Sequence, residues 1–215
     1  MIMRIIDAGL EEQSVLLTRM GELTYEALAL SIKDYLDGVT VQSQVRDMSD
    51  MLMLMSEKVE NKSFELIARF QPVASDLRAI KSYMKIGYDF ARYGRYALDI
   101  SAISDQLNGL RECDDWTREY IEEMSDKVML MVRISVDSLR KHNIELAKTI
   151  TPIEREVDKM YLEYLTKLIN HKQTKNKCVI SSALMTRYLE RIADHATYVC
   201  ESIVYIVTGE RVSLG

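Results

Sequence analysis

Two prolines and eight glycines among 215 residues leave little material for turns or strand ends, so long uninterrupted helices are the natural inference. The three cysteines, Cys113, Cys178 and Cys200, are odd in number and far apart, which fits neither a disulfide framework nor paired zinc ligands. They read as reduced, structural thiols. No run of 18 uncharged apolar residues occurs, and Met1 to Asp7 lacks the long apolar core of a secretion signal. The expectation is a cytoplasmic protein without a transmembrane segment. A formal net charge of −5 argues against a broad basic field for nucleic acid. Only His142, His171 and His195 are present, and none follows a glutamate at Glu-x-x-His spacing, which removes the ferritin-like di-iron pattern. No nucleophile with a base, glycine-rich phosphate loop or dinucleotide fingerprint is found.

Amphipathic periodicity fills the chain. Leu16, Met20, Leu23, Ala27 and Leu30 predict a helix from Ala8 to about Leu36, ended by Asp37-Gly38. Met48, Met51, Leu52, Met55 and Val59 mark a second from Val41 to about Phe70, before Pro72. Leu77, Ile80, Met84, Tyr88 and Ala91 give a third, reaching Leu107 with Asn108-Gly109 as its stop. The plan then repeats: Trp116 to about His142, a helix reaching His171, and one from about Lys177 to Val207, stopped at Thr208-Gly209. An offset of roughly 100 residues means a duplicated bundle rather than a short-period solenoid. The fold expected is all-α, two tandem three-helix bundles, 1–110 and 111–215.

Chemistry concentrates on the last helix. At about 100° per residue, Asp194 lies roughly 40° and Glu201 roughly 20° from Glu190 around the axis, so three carboxylates share a stripe. Ile192, Val199, Ile203 and Ile206 fall near the opposite side and would be buried. Such a stripe either invites a cation or is an ordinary solvated face. On the preceding helix Glu154 and Asp158 form an i,i+4 pair that a bundle can bring opposite Glu190 and Asp194. Four converging carboxylates make a hard, oxygen-rich site suited to magnesium, manganese or iron. Thr151-Pro152-Ile153-Glu154 also reads as a capping box, so cap and ligand both stay open for Glu154. His195 points some 100° from Asp194 and reads as a polar contact. Arg92 and Arg95 could receive an anion, but Asp89 and Asp99 stand at spacings for local pairing. Met51, Met53 and Met55 make their helix apolar all round, a candidate surface for partner contact or self-association.

Gln71-Pro72-Val73-Ala74-Ser75-Asp76-Leu77-Arg78, together with Arg187 to Asp194 and Thr208-Gly209-Glu210, resembles the PhoU family over nearly the full length. The resemblance implies two bundles related by pseudo-two-fold symmetry, each with a Glu/Asp-x-x-x-Asp motif for a multinuclear metal cluster. Iron is the first candidate, with manganese, magnesium or zinc as alternatives. Glu190 and Asp194 satisfy the C-terminal motif, and Glu154 and Asp158 match the acidic positions of the preceding helix. The N-terminal copy departs, with Ala91, Arg95 and Ser56 where acids would stand and only Glu60 retained, so metal is expected in the C-terminal bundle alone. The family is regulatory rather than enzymatic. Its implied partners are the ATPase subunit of a phosphate ABC transporter, a phosphate sensor kinase, or both, reached at the inner membrane face, and a homodimer is expected. The competing reading is a metal-dependent enzyme built on the C-terminal carboxylates.

Overall fold

The computed structural model describes residues 4–171 and 175–215. Met1 to Met3, part of the stretch inspected for a secretion signal, lie outside the described residues. Among the described residues seven helices follow one another: α1 (Ile5–Asp37), α2 (Gln42–Phe70), α3 (Ala74–Leu107), α4 (Asp115–Lys141), α5 (Ile144–Lys148), α6 (Ile150–Asn170) and α7 (Asn176–Thr208). No strand occurs among the described residues, and no helix there is long and apolar enough to cross a membrane.

Helix ends follow backbone chemistry. Gly38, Asn108 and Gly209 take left-handed conformations past the ends of α1, α3 and α7, where orphan carbonyls need a reversing residue. Gln71 and His142 do the same for α2 and α4 without being glycine. The single helix expected to reach His171 is broken at Thr149 into α5 and α6. The cause is Pro152, which has no N–H for the Lys148 carbonyl and crowds it. Asn143 Oδ1 accepts the Leu146 N–H at 3.0 Å and caps the short α5.

Helices α1, α2 and α3 pack as one bundle and α4, α6 and α7 as the other, with α3 against α7 and α1 against α4 joining them in pseudo-two-fold fashion. Leu17, Met20 and Leu28 of α1, Phe90 and Tyr93 of α3, Val128 and Val136 of α4, and Ile192 and Val199 of α7 belong to one continuous core. The join is close: a Cβ on Gly21 of α1 would lie 2.8 Å from Val136 Cγ2.

Two expectations about faces are corrected. Leu77 and Tyr88 are 43% and 59% exposed, so of the stripe assigned to α3 only Ile80 lies fully on its buried face. Because α3 is packed by α1, α2 and α7 together, its core residues run through Ile80, Tyr83, Ile86, Phe90, Tyr93 and Ala97 instead. Met51 likewise points outward, while Leu52 and Val59 of the same stripe are buried. The reduced-thiol reading also fails for two cysteines. Cys113, in the α3–α4 connector, and Cys178, in the first turns of α7, form a disulfide with Cα atoms 5.3 Å apart. Sixty-five residues separate them in sequence, and only the tertiary fold brings them together. Cys200 is free and buried.

Candidate metal centre

The carboxylates come from two neighbouring helices of the C-terminal bundle. On α6, Val157 is fully buried, which sets Glu154 and Asp158 along one edge; on α7, burial of Leu189, Ile192 and Ala193 sets Glu190 and Asp194 toward α6. Glu154, Asp158 and Asp194 each offer an oxygen, and these oxygens lie within 4.8 Å of one another. Glu154 is only 7% exposed. Because α6 begins at Ile150 and its N-cap Thr149 makes no side-chain cap, the capping-box reading of Glu154 is withdrawn. Its carboxylate is free to face the cluster.

Burial and mutual repulsion act on these carboxyls in the same direction. Burial, then the neighbouring Asp158 and Asp194, push the Glu154 carboxyl above its ordinary value. Lost hydration, then Asp194, raises Asp158. Burial, then Asp194, raises Glu190, and Arg187 opposes the shift. Arg187 Nη1 donates to Glu190 Oε2 at 2.6 Å, and Arg191 Nη1 to Asp194 Oδ2 at 3.1 Å. These pairs went unnoticed in the sequence, although their i,i+3 spacing is legible there. Glu190 therefore stands at the margin of the cluster, tied to its own arginine.

Glu201 stands apart. Its Oε1 accepts the Leu214 N–H at 3.1 Å, so this carboxylate anchors the segment after α7 and does not join the three-acid group. Sharing a helical stripe did not suffice, because two further turns carry Glu201 beyond the acids of α6. That segment nevertheless reaches the cluster: a Cβ on Gly215 would fall 2.8 Å from Glu154 Oε1. His195 is a polar contact, its Nδ1 lying 2.8 Å from Asp89 Oδ1 across the α3–α7 join. An all-oxygen donor set with no imidazole or thiolate suits a hard cation better than zinc.

The N-terminal counterpart differs in kind. Ser56, Glu60, Ala91 and Arg95 line one cavity of about 360 Å³, along with Met53, Glu57, Tyr88 and Arg92. The expected Asp89–Arg92 pair is not made: Asp89 turns to His195, while Arg92 Nη2 donates to the Tyr96 hydroxyl at 2.9 Å and stacks over its ring. Arg95 has no carboxylate within 4.0 Å among the described residues, so its pair with Asp99 is absent too. Of the methionines offered for contact, Met51 and Met53 are exposed, the latter 47%, and Met55 is half-buried; Leu54 is exposed beside them.

This geometry meets the known proteins at one point. A family profile described as PhoU domain matches residues 17–104 and again 121–203, once in each bundle. The chain belongs to the PhoU family. It is 32% identical to a phosphate-specific transport system accessory protein PhoU homolog of Clostridium acetobutylicum, over 100% of this chain and 99% of that one. A homolog so described from Pseudomonas aeruginosa is 28% identical over 94% of this chain and 85% of its own. The crystal structure of PhoU from Pseudomonas aeruginosa superposes with a TM-score of 0.89 at 27% identity, covering 95% of this chain and 99% of that one. The phosphate transport system regulatory protein PhoU of Streptococcus pneumoniae shares the fold, with a TM-score of 0.74 at 21% identity over 96% of this chain and 99% of that one. The duplicated PhoU domain accounts for the pseudo-symmetry, and the two copies differ at the corresponding acid positions.

Proposed function

We propose that this PhoU-family chain is an accessory regulator of phosphate transport and phosphate-dependent signalling that acts by protein contact. The observation that carries this is the family match in both bundles, joined to relatives named as accessory proteins of the phosphate-specific transport system. A non-catalytic role fits relatives named as accessory proteins. Its partners are the ATPase subunit of the transporter, a phosphate sensor kinase, or both, met in the cytoplasm. The working form is a dimer, and we place the division between the bundles at Leu110–Arg111.

Under the same reading the C-terminal carboxylates hold a hard metal ion. Glu154, Asp158 and Asp194 would be the ligands, with Glu190 recruited if it leaves Arg187. A metal there supplies positive charge that relieves carboxylate repulsion and ties α6 to α7. Tagged protein recovered from cells grown in high and low phosphate tests the regulatory reading. Retention of the transporter ATPase or a sensor kinase, changing with phosphate, is the expected result; recovery of neither in both conditions overturns it. The enzyme reading stands on the same carboxylates, and turnover by the purified, metal-loaded chain would favour it.

A further inference from the structure

A second site lies away from the carboxylates, where α3, the end of α7 and the segment after it enclose a cavity of about 250 Å³. Three cations face it: Lys81 and Lys85, one turn apart on α3, and Arg211 after α7. None has a carboxylate within 4.0 Å among the described residues. Lys85 and Arg211 rest instead over the rings of Tyr198 and Tyr205, at 5.1 and 5.8 Å, and Lys85 also acts on the buried Asp89 carboxylate from beyond ion-pair distance. Arg78, one turn earlier on α3, packs against Gly209 at the end of α7.

Ser82 stands between these cations on the cavity wall. It is 3% exposed, lines the cavity, and its hydroxyl meets no hydrogen-bond partner among the described residues. The oxygen itself is not sealed from solvent, so the hydroxyl opens into the cavity beside the three cations. The one acid at the wall, Glu201, is held toward the Leu214 N–H, and the lining keeps a net positive charge. A concave site walled by charge of one sign concentrates the opposite ion. We propose that this cavity binds a tetrahedral oxyanion of the phosphate type, with Lys81, Lys85 and Arg211 supplying charge and Ser82 a donor. Charge-assisted N–H and O–H donors of this kind suit the oxygens of a phosphoryl group. The proposal does not depend on metal or on any protein partner.

The test is calorimetric titration of the metal-free full chain, at constant ionic strength, with sodium phosphate in one arm and a phosphoserine peptide in the other. Saturable binding of inorganic phosphate identifies a free anion as the ligand; saturation by the phosphopeptide alone identifies a phosphoryl group carried on another protein. In either case Lys85→Ala combined with Arg211→Ala should weaken binding about tenfold or more, the worth of one charge-assisted bond or more. Helicity should be unchanged, since both side chains are exposed. If that variant loses helix, Lys81→Gln, also on the surface, carries the same expectation of weakened binding. No saturation in either arm, or undiminished binding by the folded variants, overturns the site.

Discussion

Replacing Asp194 with asparagine should change stability in opposite directions with and without metal. In the metal-free protein Asp194 faces Glu154 and Asp158 with oxygens within 4.8 Å. At that separation two like charges repel by about 1 kcal/mol in a water-like dielectric and by about 3.5 kcal/mol at an effective dielectric near 20. Asp158 is exposed, which holds its share near the lower figure. Against this gain stands the loss of the Arg191 pair, whose members are 44% and 20% exposed and which is worth at most about 1 kcal/mol. The variant should therefore be more stable than the parent in EDTA by about 1–2 kcal/mol, or roughly 2–8 °C in Tm for a chain of this size. With metal at a hundred times its Kd the parent gains about 2.7 kcal/mol. The variant, short of a ligand, should gain far less, and the order of the two melting curves should invert. Thermal melts of both proteins in EDTA and in manganese or ferrous iron give the four numbers required. If Asp194→Asn lowers Tm by the same amount in both conditions, the residue is merely structural and the site has been misassigned.

Acid titration offers a second check. The Glu154 carboxyl is raised in the folded state, so folding takes up protons and its ionisation costs stability. In EDTA, the stability of the parent minus that of Glu154→Gln should rise as pH falls from neutral toward the ordinary glutamate value; a difference constant from pH 7 to 5 would contradict the upward shift that burial and the neighbouring acids impose. The Cys113–Cys178 bond closes a loop with a sequence separation of 65, for which chain entropy gives about 4 kcal/mol. Reduction should lower the denaturation midpoint accordingly, and the oxidised, unfolded chain should titrate one thiol, that of Cys200; three thiols before reductant would exclude the bond. Met53→Glu, at a half-exposed position, should leave stability within about 0.5 kcal/mol and helicity intact while weakening self-association in sedimentation. An unaltered sedimentation profile would remove that face from the contact surface.

The helices and their stops were legible in the chain because they are local. Apolar spacing, Asp37-Gly38, Asn108-Gly109 and Thr208-Gly209 act within a few residues, and they mark the ends of α1, α3 and α7. The C-terminal acid pairs were legible for the same reason, since i,i+4 spacing places two carboxylates on one helical edge wherever that helix packs. What periodicity could not supply was the number of neighbours each helix has. It misplaced Leu77, Tyr88 and Met51 because α3 and α2 bury faces determined by packing. Nor does helical phase carry depth along an axis, so Glu201 shared the stripe of Asp194 yet ended beside Leu214. Contacts between distant segments were beyond it altogether: Cys113 with Cys178, His195 with Asp89, and Ser82 enclosed with Lys85 and Arg211. Each joins residues whose separation in sequence says nothing of their distance: the fold of the C-terminal half brings Cys178 to Cys113, and the closing of the two bundles on one another brings α3 to α7.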